Sequence, residues 1–297
     1  MRTVFLGTSE FAAAILRRLA DSPHRPSLVV TRPDRPRGRG RRLSPPPVAV
    51  AARELGLALD QPESVNAEPA RARIGEHRPE AICVCAFGAL IKEPLLSDHP
   101  MMLNVHPSLL PRWRGAAPIE RAIMGGDDHT GVSIMQVTAG LDSGPVCLQA
   151  SEEIEPDDTY GTLAARLQEL GGELLVRALG QSPSCAEQDG SRATYAEKIT
   201  PADRRLDPTR PADELERVVR ALAPHVGAHV ALGDGTLLGV RRANVLWRDG
   251  PAPGSISLDG PRPLLGCARG ALELTVVQPP GRRQMSGEDF LRGRSRA

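Results

Sequence analysis

Residues 101–118 read MMLNVHPSLLPRWRGAAP, and the fold of the first part of the chain follows from how this stretch is parsed. It opens as an apolar strand carrying two polar residues, Asn104 and His106, at an i, i+2 spacing, so both side chains leave the same face. Pro107 and Pro111 then stiffen a loop, Gly115 releases the chain, and a helix is expected from about Ala116 to Met124. The strand end thus delivers an amide and an imidazole to a rigid rim, the position at which open α/β sheets hold their ligands.

The same alternation of strand and helix continues outward in both directions. RTVFL at 2–6 is a short strand ending at Gly7, after which Thr8 and Ser9 cap a helix whose Phe11, Ile15, Leu16 and Leu19 share a face. Such a turn presents backbone N–H groups to an anion. The three spaced glycines of the dinucleotide fingerprint are absent, so no nicotinamide cofactor is read here. Strands follow at 28–31, at AICVC (81–85) and at TGVSIMQVT (130–138), with helices at about 48–56 and 158–179, the latter carrying Leu163, Leu167, Leu170 and Leu174 at helical spacing. This pattern predicts an α/β fold, a doubly wound and mostly parallel sheet of Rossmann-like type, over residues 1–180. Residues 181–206 are polar with little periodicity and are expected as a linker laid over a surface. From 207 to 297 a helix, ADELERVVRAL, precedes short strands separated by Gly, Asp and Pro, which predicts a smaller C-terminal OB-like β-barrel domain.

Composition limits what such a protein can hold. Aromatics are only 3% of the 297 residues, so base stacking is scarce and any nucleic acid must be gripped through its phosphates. The net charge of +1 conceals an asymmetry, +4 from residue 205 onward against −3 before it. Within the acidic part lies RPDRPRGRGRRLSPPP at 32–47, where six arginines between 32 and 42 face one Asp34, a local charge of +5. Its glycines and prolines forbid a helix or a central strand. A basic loop at a strand end suits polyphosphate or nucleic acid, because neutralising phosphates releases counterions; on composition alone, a solvated loop without a partner is an equal alternative. Five cysteines, an odd number, argue against a disulfide framework and for a reducing compartment. The first residues read as a strand rather than as a basic region followed by an apolar one, so no signal peptide is expected, and no run approaches about 18 apolar residues. A soluble cytoplasmic protein without membrane contact is expected.

Chemistry is concentrated in Asn104, His106 and Asp142, the last in AGLDSGPV at 139–146. A carboxylate beside a histidine fixes the ring and favours its protonated form, and the asparagine amide supplies a second donor aimed at the same developing oxyanion. No serine or cysteine nucleophile with a distinctive motif accompanies the histidine, although Ser108 is two residues away. The set therefore suggests acyl transfer to an external nucleophile without a covalent enzyme intermediate. His106, His129 and Asp142 lack the spacing of zinc ligands, and no metal is expected.

Six stretches carry a resemblance: FLGTSEFA (5–12), VVTRPDRPRGRGRRLSPPPV (29–48), LNVHPSLLPRWRGAAPIERAI (103–123), TGVSIMQVTAGLDSG (130–144), TYAEKI (194–199) and RRQMSGEDFL (282–291). Together they resemble the methionyl-tRNA formyltransferase family over essentially the whole chain. The N-x-H, SLLP and downstream Asp elements are shared with other 10-formyltetrahydrofolate-dependent formyltransferases, whereas the PDRPxGRG loop and the added barrel point to the tRNA-directed branch. The resemblance implies transfer of a formyl group from 10-formyltetrahydrofolate to the α-amino group of methionyl initiator tRNA, for translation initiation, by a monomer. It implies catalytic roles for Asn104, His106 and Asp142, a folate site lined by Ser108, Leu109, Leu110 and Pro111, and tRNA contacts from Arg37, Arg39, Arg41 and Arg42, with Arg39 foremost. Two other readings stand beside it: a folate-dependent formyltransferase acting on a small amine, such as a sugar nucleotide or glycinamide ribonucleotide, and an RNA-binding protein with a retired α/β domain.

Overall fold

TVFLG at Thr3–Gly7 (β1) is buried at every residue, as a strand covered on both faces must be. In the computed structural model, which describes residues 1–37, 42–99, 101–248 and 250–294, it is an interior strand of a seven-stranded sheet. The other strands are Pro26–Val30 (β2), Leu59–Asp60 (β3), Ala81–Cys85 (β4), Met102–His106 (β5), His129–Gln136 (β6) and Val146–Glu153 (β7), in the order β7-β6-β5-β4-β1-β2-β3. The pairs β1/β2, β2/β3, β1/β4 and β4/β5 are parallel, and β5/β6 is antiparallel. The sheet is thus doubly wound and mostly parallel, and its order reverses between β1 and β4. Ligands of such sheets sit at the carboxyl ends beside that reversal, and Thr8, just past β1, donates there to the Phe87 carbonyl, just past β4, at 2.7 Å.

Strand alternation assigns the faces. Val4, Leu6, Leu28, Val30, Ile82, Val84 and Met102 build one buried cluster with Val65, Ile74 and Leu95, so Asn104 and His106 continue the row that Met102 begins. On the opposite face the helix Tyr160–Gln181 lies close to the sheet. A side chain at Gly171 would press on Val105 at 3.0 Å, Ile15 at 3.2 Å and Val132 at 3.5 Å. That approach places a long rigid helix directly behind the histidine strand. The helix Glu10–Ala20 is capped as its sequence predicts, Ser9 Oγ accepting from the Ala12 N–H at 3.2 Å.

Departures from expectation are of three kinds, the first being elements with little signal. The helix Glu68–Glu76 carries little sequence signal because only Ala70 and Ile74 are buried, and β7 is a strand with alternate residues exposed. The basic stretch, expected as an irregular loop, has hairpin arms: Arg35–Arg37 pairs antiparallel with Arg42–Ser44. Pro36 is tolerated because a two-stranded ribbon is all edge. The third departure is a disulfide between Cys147 and Cys185, against the expectation of none. The bridge between Val146 and Ala186 brings the two side chains together. Cys83, Cys85 and Cys267 are free and buried, and burial pushes the Cys83 thiol up to about 12.

The chain divides into two compact units, one of residues 1–115, 130–153 and 164–195, the other of 116–129, 154–163 and 196–297. The second unit contains a six-stranded sheet of Ala228–Ala231 (β8), Leu237–Leu246 (β9), Ile256–Ser257 (β10), Leu264–Gly266 (β11), Ala271–Gln278 (β12) and Met285–Ser286 (β13). Its order is β8-β9-β12-β11-β10, with β13 also on β12, and every pair is antiparallel. Register shifts between Val240 and Ala243 bend β9, which curls the sheet into an OB-like half-barrel. Leu215, Val218, Val219 and Leu222 from the helix Ala212–Ala221 and its end share one core with Val230, Leu238, Val240, Leu272, Leu274 and Val277. No helix among the described residues is long and apolar enough to cross a membrane.

Candidate active site

His106 closes β5 and is 4% exposed, so each of its ring nitrogens needs a partner. Nε2 lies 2.9 Å from the Trp113 carbonyl oxygen. A carbonyl only accepts, so Nε2 carries a hydrogen. Nδ1 faces Asp142 Oδ2 at 3.6 Å, longer than a hydrogen bond. Nδ1 is therefore the nitrogen with room beside it for a reacting oxygen, and the carboxylate stands close enough to stabilise positive charge on the ring. Asp142 is oriented in turn, its Oδ2 accepting the Gly115 N–H at 2.9 Å.

Asn104 lies two residues before His106, on the same face of the strand, and is half-buried. Among the described residues its side-chain amide makes no hydrogen bond, which leaves its N–H donors for a ligand. Amide, imidazole Nδ1 and carboxylate are thus gathered as the sequence predicts, in an arrangement suited to stabilising a developing oxyanion.

The rim beyond the strand is rigid for reasons visible residue by residue. Ser108 is fully buried, and its hydroxyl donates to the Arg112 carbonyl at 2.6 Å. The neighbouring strand contributes Ser133, also fully buried, which donates to the Ser108 carbonyl at 2.6 Å and accepts from Leu110 N–H at 3.1 Å and Gln149 Nε2 at 2.8 Å. The Ser108 hydroxyl is thus committed to the loop. Leu110 is buried, while Leu109 and Pro111 are part-exposed. Of the predicted basic contacts, Arg42 is exposed at the start of the second hairpin arm. Arg37 lies on the opposite arm, paired through its backbone with Arg42. Arg39 and Arg41 lie outside the described residues. Among the described residues no three His, Cys, Asp or Glu side chains gather as a metal group.

Sequence reasoning missed the residues that fasten this rim. Gln188 Nε2 donates to the Asp142 carbonyl at 2.9 Å and the Gly144 carbonyl at 2.7 Å, and its Oε1 accepts from Arg114 Nε and Nη2 at 3.0 and 2.8 Å. Thr194 Oγ1 accepts the Trp113 N–H at 2.9 Å. Both lie in the polar stretch expected as a linker, where only their hydrogen-bonding capacity could have marked them.

The formyl transferase family model matches residues 1–179, and the model of the formyl transferase C-terminal domain matches residues 198–295. A methionyl-tRNA formyltransferase of Methylococcus capsulatus is 44% identical, with 98% of this chain and 96% of that protein covered. The chain belongs to the methionyl-tRNA formyltransferase family. Methionyl-tRNA formyltransferases of Halorhodospira halophila, 42% identical over 99% of this chain and 96% of that one, and of Pseudomonas paraeruginosa, 44% identical over 99% and 96%, are similar over the same span. Among solved structures the fold is shared with WlaRD, a sugar 3N-formyl transferase, at a TM-score of 0.68 and 13% identity over 95% of this chain and 99% of that one. It is shared too with HypX of Aquifex aeolicus in complex with tetrahydrofolic acid, at a TM-score of 0.66 and 17% identity, covering 98% of this chain and 47% of that one. For a methionyl-tRNA formyltransferase family member the wide coverage matters, because both units of the chain have counterparts in the relatives.

Proposed function

We propose that this site transfers the formyl group of 10-formyltetrahydrofolate to the α-amino group of methionine esterified to initiator tRNA, the step that prepares that tRNA for translation initiation. The observation that carries this reading is the pairing at His106: Nε2 tied to the Trp113 carbonyl, Nδ1 left 3.6 Å from Asp142 on the face that Asn104 shares. The folate supplies an activated formyl carbon. The neutral amine attacks that carbon, and the Asn104 amide and the His106 Nδ1–H donate to its oxygen as charge develops there. Asp142 stabilises the imidazolium and assists transfer of the amine's proton, directly or through water, to the folate nitrogen as its bond to the formyl carbon breaks, so that tetrahydrofolate leaves protonated. Leu109, Leu110 and Pro111, with the backbone of Ser108, form the wall against which the folate packs. No metal takes part in this scheme.

In this reading residues 1–180 supply the chemistry, 181–206 connect, and 207–297 with their +4 charge from residue 205 hold tRNA phosphates. The basic stretch, with Arg37, Arg39, Arg41 and Arg42, meets the phosphates of the acceptor stem in this reading. We read the enzyme as a monomer acting in the cytoplasm. Purified protein should formylate methionyl-tRNA only with 10-formyltetrahydrofolate, and His106→Ala should abolish turnover while leaving the circular dichroism spectrum intact. Normal turnover by that variant would sink the mechanism. Formylation rate measured against salt should fall less steeply for Arg39→Ala than for wild type, since one phosphate contact is lost. Competition by free sugar or ribonucleotide amines, with no response to tRNA, would instead move the acceptor to a small amine.

A further inference from the structure

One neighbour of the His106 ring is a backbone carbonyl and the other a carboxylate on a turn, and the backbone around both is gripped by one segment, 46 residues beyond Asp142 and 81 beyond Trp113. We propose that Gln188 and Thr194 are positioning residues of the formyl-transfer reaction, a strap that sets the groups facing the two ring nitrogens of the catalytic histidine; this rests on His106 and Asp142 being the catalytic pair.

Gln188 governs the Nδ1 side. Its neighbours fix its orientation without ambiguity: Arg114 can only donate, so the atom facing it is Oε1, and the carbonyls of Asp142 and Gly144 can only accept, so the atom facing them is Nε2. One amide group therefore uses two N–H donors and its oxygen at once. It ties the turn carrying the carboxylate to the buried Arg114, whose neighbour Gly115 donates to Asp142 Oδ2. Asp142 has φ of 44°, in the left-handed region. A turn of that kind persists only when its surroundings hold it, and the Gln188 amide grips it at the residue itself and two residues on.

Thr194 governs the Nε2 side. Trp113 has φ of 61°, an unusual conformation for a bulky side chain, and it is the residue whose carbonyl meets Nε2. Thr194 binds the chain on either side of that carbonyl. Its Oγ1 accepts from Trp113 N–H and its carbonyl from Arg114 N–H, each at 2.9 Å, while its own N–H donates to the Pro111 carbonyl at 3.3 Å. The upstream end of the strap is fastened by the Val146–Ala186 bridge and the Cys147–Cys185 disulfide. With both ends held, Nε2 keeps its hydrogen and Nδ1 keeps its distance from the carboxylate.

The test is steady-state kinetics on methionyl-tRNA and 10-formyltetrahydrofolate with Gln188→Ala, Gln188→Glu, Thr194→Val and Thr194→Ser, beside Ser191→Ala as a control on the same segment. Gln188→Glu keeps the acceptor for Arg114 and loses the donors; Thr194→Val keeps the shape and loses the acceptor. Each of these, and Gln188→Ala, should lower kcat by about tenfold to a hundredfold with both KM values within about threefold, because misplacement of a catalytic group acts on the chemical step. Thr194→Ser should restore kcat to near wild type, and Ser191→Ala should match wild type. Nitrogen-15 NMR of histidine-labelled protein should show the Nε2–H tautomer of neutral His106 in wild type and a mixture in Thr194→Val. Unchanged kcat in Gln188→Glu and Thr194→Val, a loss confined to KM, or failure of Thr194→Ser to rescue would overturn the proposal. An inactive His106→Ala alongside fully active strap variants would refute the strap alone, whereas a fully active His106→Ala would refute the catalytic reading beneath it.

Discussion

Gly144→Ala is the sharpest test of how tightly the carboxylate turn is built. A methyl group at this position would overlap the Gln136 carbonyl oxygen at the end of β6, with the carbonyl carbon at 3.1 Å and Thr138 Cγ2 at 3.0 Å. The obstacle is backbone, so no side-chain rotation relieves it. The Gln136 N–H also donates to the Pro145 carbonyl at 2.9 Å, which ties the two segments together. Restoring even a tight contact requires the turn to move by about 1 Å. Asp142 lies two residues upstream, and a displacement of about 1 Å in a catalytic group costs on the order of a hundredfold in rate, equivalent to about 2.7 kcal/mol of barrier. Gly140→Ala supplies the comparison within the same turn, because its methyl would meet only the Ser143 side chain, whose hydroxyl can rotate away. In a methionyl-tRNA formylation assay with urea midpoints measured in parallel, kcat for Gly144→Ala should fall about a hundredfold and kcat for Gly140→Ala should stay within about twofold of wild type. A folded Gly144→Ala enzyme with normal kcat, or equal losses in both variants, would refute the claim that this turn is held against β6 for catalysis.

Further expectations concern stability. Ser133→Ala should lower the urea-unfolding free energy by about 1–3 kcal/mol, because it strips the Leu110 N–H and the Ser108 carbonyl of a partner in a fully buried site. Leu238→Ala, at a fully buried position in the second unit's core, should cost about 2–5 kcal/mol by the same measurement. Arg121 at 2.7 Å, with Thr200, holds the Asp203 carboxyl down at about 2 against an ordinary 3.8. A lowered carboxyl stabilises the fold above its unfolded value and loses that effect as pH falls through its folded one. Asp203→Asn should therefore destabilise by on the order of 1 kcal/mol at pH 7, with a difference from wild type that shrinks between pH 4 and 2.

The parts of this molecule that were legible in the sequence are those where one residue type serves one local purpose. AICVC is apolar throughout because it lies inside a parallel sheet, and Asn104 and His106 stand out because they interrupt such a run on one face. Gln188 and Thr194 were not legible for a different reason. Their partners are backbone atoms 46 and 81 residues away, and a carbonyl group looks the same whatever side chain it carries. The cysteine count misled because parity describes a framework, not a single pair brought together by the Val146–Ala186 bridge. Edge strand β7 escaped because none of its residues is fully buried and alternate ones in its second half face solvent, so it resembles a polar loop.

The positions of Trp113 and Asp142 explain why the candidate site needs so much support. Both residues adopt left-handed backbone conformations, at a cost of about 1–3 kcal/mol each, and each supplies one of the two partners of the His106 ring. A carboxylate closer to Nδ1 would stand at hydrogen-bond length. That contact would satisfy the histidine completely and remove its N–H from any reaction. At 3.6 Å the carboxylate makes no hydrogen bond to the ring, its own being to the Gly115 N–H at 2.9 Å, so Nδ1 stays available to an oxygen that gains charge only in the transition state. The two left-handed turns thus bracket a ring whose Nε2 is tied and whose Nδ1 faces the carboxylate at 3.6 Å without being consumed by it.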